Sequence, residues 1–551
     1  MSANITENSS RKPRLARSAV MDRLLIAVFC LLLLTPVVCQ VAGIDLKGGA
    51  ADEKRKLRQF PRLSLSFAPL RAFPHGVKLW LHQSRPVIAD FLHSFPRDFD
   101  GWFTDHFGLR GALIRLHSEV VYFGLRSTPV PKVIVGKNGW LYYNSVAGKD
   151  GSDSVTDYRG IRPLSFAQLE EWRWLFQDEN DWCEAFGKKF FLVLIPAKEA
   201  IYPENTPGWM ARVSDKTALE QLTDYLQAKT SVSMINVSQA LRDGRKRDRV
   251  FLRTDTHWSQ FGAYCAYRAF MPMITNAFPA VKLAPDSDFT LWHDTYFGGD
   301  MTQMMALQDV TKEEYIKTKQ NAPSRAEQDI AYSRELPDVV AWTDDTNLPR
   351  AVVFRDSFTE SLIPFLSENF RQVAFSWARS GPDFNTIKRE KPDLVMHIMA
   401  DRLIRRGIRY PTQMREYCAM LRFNRATNIL LATDHPRSVN EAPICRAPEG
   451  WLIKAKGFSP RVELGSLRGD TTKQLPIIRI DITMAGRTDL HLVWHDSHGE
   501  EQDLRADLPG GRRQIYFPLV EPDICGPLLL DVGHRPGDYI LHSAEVRGIP
   551  R

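Results

Sequence analysis

The sequence predicts an α/β fold, a mostly parallel sheet flanked by helices, with a C-terminal all-β sandwich and an N-terminal membrane helix. Three observations carry this reading. From Phe190 to Ala432, apolar strand-like runs alternate with helical stretches, the order that builds a parallel sheet covered by helices. Beyond Cys445, short β-rich runs separated by Gly-, Pro- and Asp-containing turns replace the helices, as in a sandwich. At the other end, Leu24–Cys39 is almost wholly apolar.

Taken in order, residues 1–23 are polar and carry Arg11, Lys12, Arg14, Arg17 and Arg23. The apolar span behind them, 24–43, nears the roughly 20 residues a membrane helix needs. Basic residues on its N-terminal side place that end in the cytoplasm and the remainder across the membrane, behind either a signal peptide or, the preferred reading, an uncleaved signal anchor. Residues 44–130 read as a charged, proline-containing tether followed by helical entry, with helices over Val77–Phe95 and Gly111–Tyr122. Val133–Tyr143 has the pattern of a hairpin turning at Lys137-Asn138-Gly139.

Within 131–444, an amphipathic helix runs from Ser165 to Gly187 and the apolar Phe190–Ile195 is a buried strand. A loop, Pro196-Ala-Lys-Glu-Ala-Ile-Tyr-Pro203, follows at the strand's C-terminal end. Next come a helix over Thr217–Lys229, a short strand at Met234–Val237 and a basic run, Arg242–Arg249, expected as a solvated loop. Gly262–Met273 is helical, and strands resume at Ala351, Val373, Leu394 and Ile429–Ala432. In residues 445–551 the runs Ile477–Ile482, Leu490–Trp494, Gln514–Phe517, Leu528–Val532 and Ala544–Val546 alternate with turns. Trp494, Tyr516 and Phe517 there suit either sugar stacking or core packing.

The 551 residues suit several domains, and 44% hydrophobic with 25% charged residues is an ordinary globular balance. A net charge of +7 fits an acidic polymer partner or a solvated surface. The export segment and the absence of a nucleic-acid motif argue against nucleic acid. Of the seven cysteines, Cys445 and Cys525 could form a bridge across the exported β region; buried free thiols are the alternative.

The chemistry gathers at two places. In Arg253-Thr-Asp-Thr-His-Trp-Ser259, Asp255 and His257 stand two apart. In an extended segment that spacing puts both on one face, so the carboxylate can orient the imidazole and stabilise its charge. In Ala351-Val-Val-Phe-Arg-Asp-Ser-Phe358, an apolar strand stops at Ser357 and a helical pattern, Thr359–Phe365, begins. A serine there is a candidate nucleophile beside backbone N–H groups that can stabilise an oxyanion. An Asp-x-His pair also suits a metal ion, but no third ligand stands at a characteristic spacing, so neither metal nor cofactor is expected.

The chain resembles the bacterial SGNH-hydrolase-like family that includes periplasmic alginate O-acetyltransferases of the AlgJ and AlgX type. The resemblance covers most of residues 50–440. It rests on the order and spacing of Asp105-His-Phe-Gly-Leu-Arg110, Gly136-Lys-Asn-Gly-Trp-Leu-Tyr142, Pro196–Pro203, Asp255-Thr-His-Trp258, Gly299-Asp300, Arg355-Asp-Ser-Phe358 and Pro392-Asp-Leu-Val395. It implies Asp255 and His257 as the carboxylate–histidine pair and Ser357 as nucleophile. Trp258, Arg355, Tyr202 and Lys198, inside the same motifs, are expected at the substrate. Many SGNH enzymes have glycine where this chain has Arg355. The family further implies an SGNH-like domain in the periplasm, a polysaccharide acceptor, an acetyl donor relayed by an integral membrane acyltransferase, and other polysaccharide export proteins as partners. The C-terminal β region looks like a carbohydrate-binding module. Two other functions fit the same residues: an acetylesterase using the same triad, and a non-catalytic glycan-binding assembly factor.

Overall fold

In the computed structural model, the described residues are 15–42, 58–65, 76–332, 337–377, 383–406, 412–457, 459–520, 524–533 and 535–551. Arg11, Lys12 and Arg14 of the basic segment lie outside them. The chain forms two compact units, one from residues up to Val135 with Arg253–Asp255 and Tyr296–Glu313, the other from Gly136–Leu252, Thr256–Thr295 and Glu314–Arg551.

In the first unit, Leu15–Val41 is a helix whose apolar span, Met21–Cys39, has the length and composition to cross a membrane. The next helix, Gly76–His106, runs 31 residues and passes both Pro86 and Pro96, so it outlasts the expected end at Phe95. Proline removes a backbone donor, but an aromatic row supplies contacts across the break. Phe91, Phe95, Phe99 and Phe103 follow at four-residue spacing, with successive ring centroids 5.3, 5.6 and 6.2 Å apart. Arg110–Glu119 is helical and ends in a π turn, Val120–Gly124.

The second unit is an α/β domain continuous with a largely antiparallel C-terminal β region. Its main sheet has seven strands in the order Ser233–Asn236, Lys189–Ile195, Leu394–Ala400, Arg350–Arg355, Gln372–Trp377, Pro337–Trp342 and Glu327–Tyr332. The first five pair in parallel; the last two add antiparallel at one edge. Leu394–Ala400 is buried along its whole length, as befits a central strand with both faces covered. The covering helices begin where their capping residues dictate. Ser165 and Gln168 form a capping box at the start of Phe166–Ala185, and Gly187 follows its end at φ 69°. Thr217 and Glu220 do the same for Ala218–Lys229, and Ser259 caps Gln260–Ala277. The turn at 136–140 carries positive φ at both Asn138 and Gly139, as a type I′ turn requires. Arg242 and Arg245, expected in a solvated loop, flank the end of a helix, Ser238–Gly244, and pair with Glu220 and Glu204 at 3.2 and 2.7 Å.

The C-terminal region holds a six-stranded and a five-stranded sheet. Side chains from both, among them Ile478, Ile480, Leu490, Leu492 and Leu530, share one core. Trp494, Tyr516 and Phe517 are buried, so packing, not sugar stacking, occupies them. Asn428–Ala432, expected to close the parallel series, instead pairs antiparallel with Gly537–Pro550 in the six-stranded sheet. Cys445 and Cys525 are exposed free thiols on strands of different sheets and do not form the possible bridge; Cys183 and Cys418 are buried free thiols, the alternative.

A charged knot ties this region to the α/β domain. Glu170, on the helix Phe166–Ala185, accepts from Tyr225 Oη at 2.6 Å, Arg551 Nη1 at 2.8 Å, Arg173 Nη1 at 3.1 Å and Trp174 Nε1 at 3.2 Å. Burial alone would raise its carboxyl, but the Tyr225 hydroxyl and the two guanidiniums hold it below the usual carboxylate range. Beside it, Trp174, Phe423, Leu475, Ile477 and Tyr516 form a shared apolar cluster. Removing one member of a buried ion group strands the others in low dielectric. Glu170→Gln is therefore expected to cost about 3 kcal/mol, read as a lowered Tm. An unchanged Tm would show that the knot contributes nothing.

Candidate active site

The backbone brings His257 to Ser357. Phe251 and Trp258 form an antiparallel bridge, with Leu252 N–H donating to His257 O at 3.3 Å and Ser259 N–H to Val250 O at 2.9 Å. Residues 253–257 form a bend at the tip, not the extended segment expected from the sequence. The Trp258 indole is buried and donates from Nε1 to Phe358 O at 3.0 Å, fastening this segment to the residue after Ser357.

Ser357 sits at the C-terminal end of the central strand Arg350–Arg355, where sites form in open α/β sheets. Asp356 shapes the turn. Its Oδ1 accepts Phe358 N–H and its Oδ2 accepts Ala400 N–H, both at 2.9 Å. A short 3₁₀ turn, Ser357–Ser361, follows, and Ile363–Ser367 is helical. The outcome is a direct contact: His257 Nε2 lies 2.8 Å from Ser357 Oγ, with both residues half-buried. Arg402 Nη2 donates to the same Ser357 Oγ at 3.2 Å, and Thr256 Oγ1 lies 3.2 Å from His257 Nδ1.

Asp255 belongs to the first unit and is anchored there. Tyr296 Oη donates to its Oδ2 at 2.9 Å and Asp300 N–H at 3.0 Å. Burial, reinforced by the Asp255 charge, pushes the Tyr296 hydroxyl up, so it stays a donor. Glu313 accepts Arg253 N–H, Thr254 N–H and Thr254 Oγ–H at 2.8, 2.9 and 2.7 Å, which folds the chain just ahead of Asp255. The glycine of Gly299-Asp300 is explained here: a Cβ at 299 would fall 2.2 Å from Thr254 O.

The remaining expected substrate residues hold the frame. Arg355 is fully buried, donating to Glu360 Oε1 at 2.5 Å and lying 4.9 Å from the Trp377 ring. Tyr202 Oη accepts Val250 N–H at 3.0 Å, and Lys198 Nζ donates to Leu252 O at 3.1 Å. Both therefore brace the segment that leads into the His257 bend. Lys198 also lines a cavity with Tyr143, Ala197, Thr256, Phe358 and Arg402. Two carboxyls border that cavity. Burial raises Glu199; burial with the Glu199 charge raises Asp401 to about 8, against a hydrogen bond from Ala197 N–H at 2.7 Å.

Arg402, Asp401, Tyr296 and Glu313 are absent from the sequence reading. Arg402 carried a usable signal: the apolar run Leu394–Ala400 stops at Asp401-Arg402 as the run Ala351–Phe354 stops ahead of Ser357. Tyr296 and Glu313 carried none, because their contacts with Asp255 and Thr254 span some 40 to 60 residues.

Residues 133–388 match the family model described as an SGNH hydrolase-like domain, acetyltransferase AlgX. The chain is 28% identical over 184 residues to a probable alginate O-acetylase AlgJ of Pseudomonas syringae pv. tomato, covering 32% of this chain and 42% of that one. It is 31% identical over 136 residues to the Pseudomonas aeruginosa protein of the same description, covering 24% and 30%. The chain thus spans less than half the length of the curated relatives it matches. Among solved structures, Bacillus cereus PatB1 aligns at 16% identity and TM-score 0.38, covering 51% of this chain and 98% of that one.

Asp401 yields a pH prediction. The folded protein keeps a proton on Asp401 that the unfolded chain gives up near pH 4. Its contribution to stability therefore falls as pH rises toward about 8 and is level beyond. Relative to Asp401→Asn, the wild-type Tm is expected to drop across that window. Parallel Tm curves for the two proteins would refute the assignment.

Proposed function

Since residues 133–388 belong to the SGNH-hydrolase-like acetyltransferase family of the AlgJ and AlgX type, we propose that the chain is an O-acetyltransferase that acetylates hydroxyls of an exported bacterial polysaccharide. The observation that carries the mechanism is the 2.8 Å contact between His257 Nε2 and Ser357 Oγ. Ser357 donates its proton to Nε2 as Oγ attacks the acetyl carbonyl. Asp255, two residues earlier in the chain, orients the ring, with Thr256 Oγ1 at hand to accept from Nδ1. The developing oxyanion takes hydrogen bonds from Ser357 N–H and the Arg402 guanidinium, a charged donor already 3.2 Å from Oγ. Collapse expels the donor's leaving group, which takes the proton from His257 and leaves acetyl-Ser357. A sugar hydroxyl then attacks the acetyl carbonyl as His257 takes its proton; the adduct collapses to the acetylated sugar, and His257 returns that proton to the departing Ser357 Oγ. An acyl group passing between nucleophiles needs no redox or metal cofactor. Water at the same position would make the chain an esterase, so transfer depends on a better-placed acceptor hydroxyl.

The acetyl donor is relayed across the membrane by an integral acyltransferase, and the apolar Met21–Cys39 span anchors this chain with its site in the periplasm. The C-terminal sheets form a sandwich that holds the polymer. With its three aromatic candidates in the core, any sugar platform lies among other residues.

Ser357→Ala is expected to reduce acetyl transfer at least about 10³-fold, and His257→Ala nearly as much. Asp255→Asn, which favours the wrong imidazole tautomer, is expected to cost up to about 10⁴-fold; Arg402→Ala about 10²-fold. Product analysis of the polysaccharide, beside binding of the unacetylated polymer, separates the rivals. Transfer surviving in a folded Ser357→Ala protein would exclude acetyl-serine; normal acetylation in cells lacking all three triad groups would favour the assembly factor. Topology has its own test: an alkaline phosphatase fused after Arg551 is expected to be active, and an inactive fusion would contradict an N-in anchor.

A further inference from the structure

In the first unit, the helix Arg110–Glu119 and the π turn Val120–Gly124 expose an apolar stripe and turn polar groups inward. Leu113, Leu116, Val120 and Phe123 stand three or four residues apart, so they share a face. They are 43, 56, 53 and 53% exposed, and Leu125 beyond them is 69% exposed. On the other side, Ser118 is buried, and Arg115 pairs with Glu119 at 3.0 Å and with Asp309 at 2.7 Å. A helix facing only water shows the reverse pattern. We propose that this stripe is seated in the surface of the bilayer that holds Met21–Cys39, as a second, interfacial contact with anionic phospholipid. The inference rests on the anchor reading and is independent of the acetyl-serine chemistry.

Size, charge and reach support it. Five large apolar side chains, each about half exposed, present on the order of several hundred Å², the size at which a patch marks an interaction site. An apolar helix face of this kind sinks roughly 5–10 Å into the boundary between headgroups and acyl chains, and basic neighbours add attraction to anionic lipid. Arg126 and Lys132, both exposed, follow the stripe, and His117 shares its face. From Arg110 to Lys132 the sole acid is Glu119, which Arg115 holds, so no free carboxylate repels a negative surface. The chain also allows the approach. The link between Val41 and Gly76, roughly 35 residues, can extend to about 120 Å. The helix Gly76–His106 is only about 46 Å long, so it cannot hold the stripe away from the surface. Tethering to the bilayer keeps the effective concentration of the stripe there high.

The test reconstitutes the full chain into vesicles of phosphatidylcholine and phosphatidylglycerol that carry a phospholipid with a photoactivatable acyl chain. After illumination, mass spectrometry maps the lipid adducts. Wild-type protein is expected to carry two sets, one within Met21–Cys39 and one within residues 113–125, the first serving as internal reference. Leu116→Glu with Val120→Glu is expected to reduce the second set at least about 10-fold and leave the first unchanged. Both side chains are more than half exposed, so the fold does not depend on them; the wild-type map stands even if the variant misfolds. Adducts on the anchor alone would overturn the proposal. So would a chemical crosslink joining two copies through 113–125 without lipid adducts there, which would assign the face to a second copy. Equal yields at 113–125 with and without phosphatidylglycerol would overturn the role of anionic lipid. Absence of adducts from both stretches would overturn the anchor reading as well. Acetyl transfer enters none of these readouts, so the catalytic reading stands or falls separately.

Discussion

The site depends on one carboxylate. Asp356 spends one oxygen on Phe358 N–H and the other on Ala400 N–H. The first bond shapes the turn that presents Ser357. The second ties that turn to the end of the neighbouring strand, Leu394–Ala400, two residues ahead of Arg402. The turn bearing Ser357 and the strand end leading to Arg402 are thus tied by one side chain across two parallel strands. The register that makes this possible, Val353 opposite Met396 and Phe354 opposite His397, is fixed by strands buried on both faces. Slipping one residue would break both the packing and the carboxylate bridge.

A second set of contacts positions His257. Trp258 holds the segment bearing His257 against Phe358, while Lys198 and Tyr202 hold the segment that enters the same bend. These residues sit inside the motifs yet are largely buried. Each makes a hydrogen bond that holds backbone at the site. The same logic explains Gly299, whose lack of a side chain admits the Thr254 carbonyl. Side chains locked by packing and hydrogen bonds are what hold a site's geometry.

How much of this is legible in the sequence follows from the range of each interaction. Helix starts at Ser165 and Thr217 and the turn at Asn138-Gly139 are local, and the chain states them outright. Ser357 is legible because the end of an apolar strand marks the active edge of an α/β sheet. The strand Asn428–Ala432 is misplaced by the same local reading, since its five residues suit a parallel or an antiparallel neighbour equally. Phe95 looks like a helix end because Pro96 follows; the aromatic row that carries the helix onward emerges only once it is coiled. Tyr296, Glu313 and the Glu170 knot depend on residues brought together from distant parts of the chain, which periodicity cannot report.

That knot changes how the C-terminal region is understood. Composition marks a boundary near Cys445, and the secondary structure does change there. Energetically there is no free edge. Arg551 reaches Glu170, Arg422 pairs with Asp178 and Asp181, and the guanidiniums of Arg479 and Arg547 lie 5.1 and 4.4 Å from the Phe423 ring. Deleting residues 446–551 would leave Glu170, Arg173 and Trp174 facing water or each other, so loss of activity in such a truncation would not separate binding from folding. The helix that carries Glu170 also packs on Lys189–Ile195, the strand whose C-terminal end presents Ala197 and Lys198 to the cavity. The β region and the Ala197–Lys198 wall of the cavity therefore share one support. Point changes on exposed strand faces are the means of testing that region without dismantling the site.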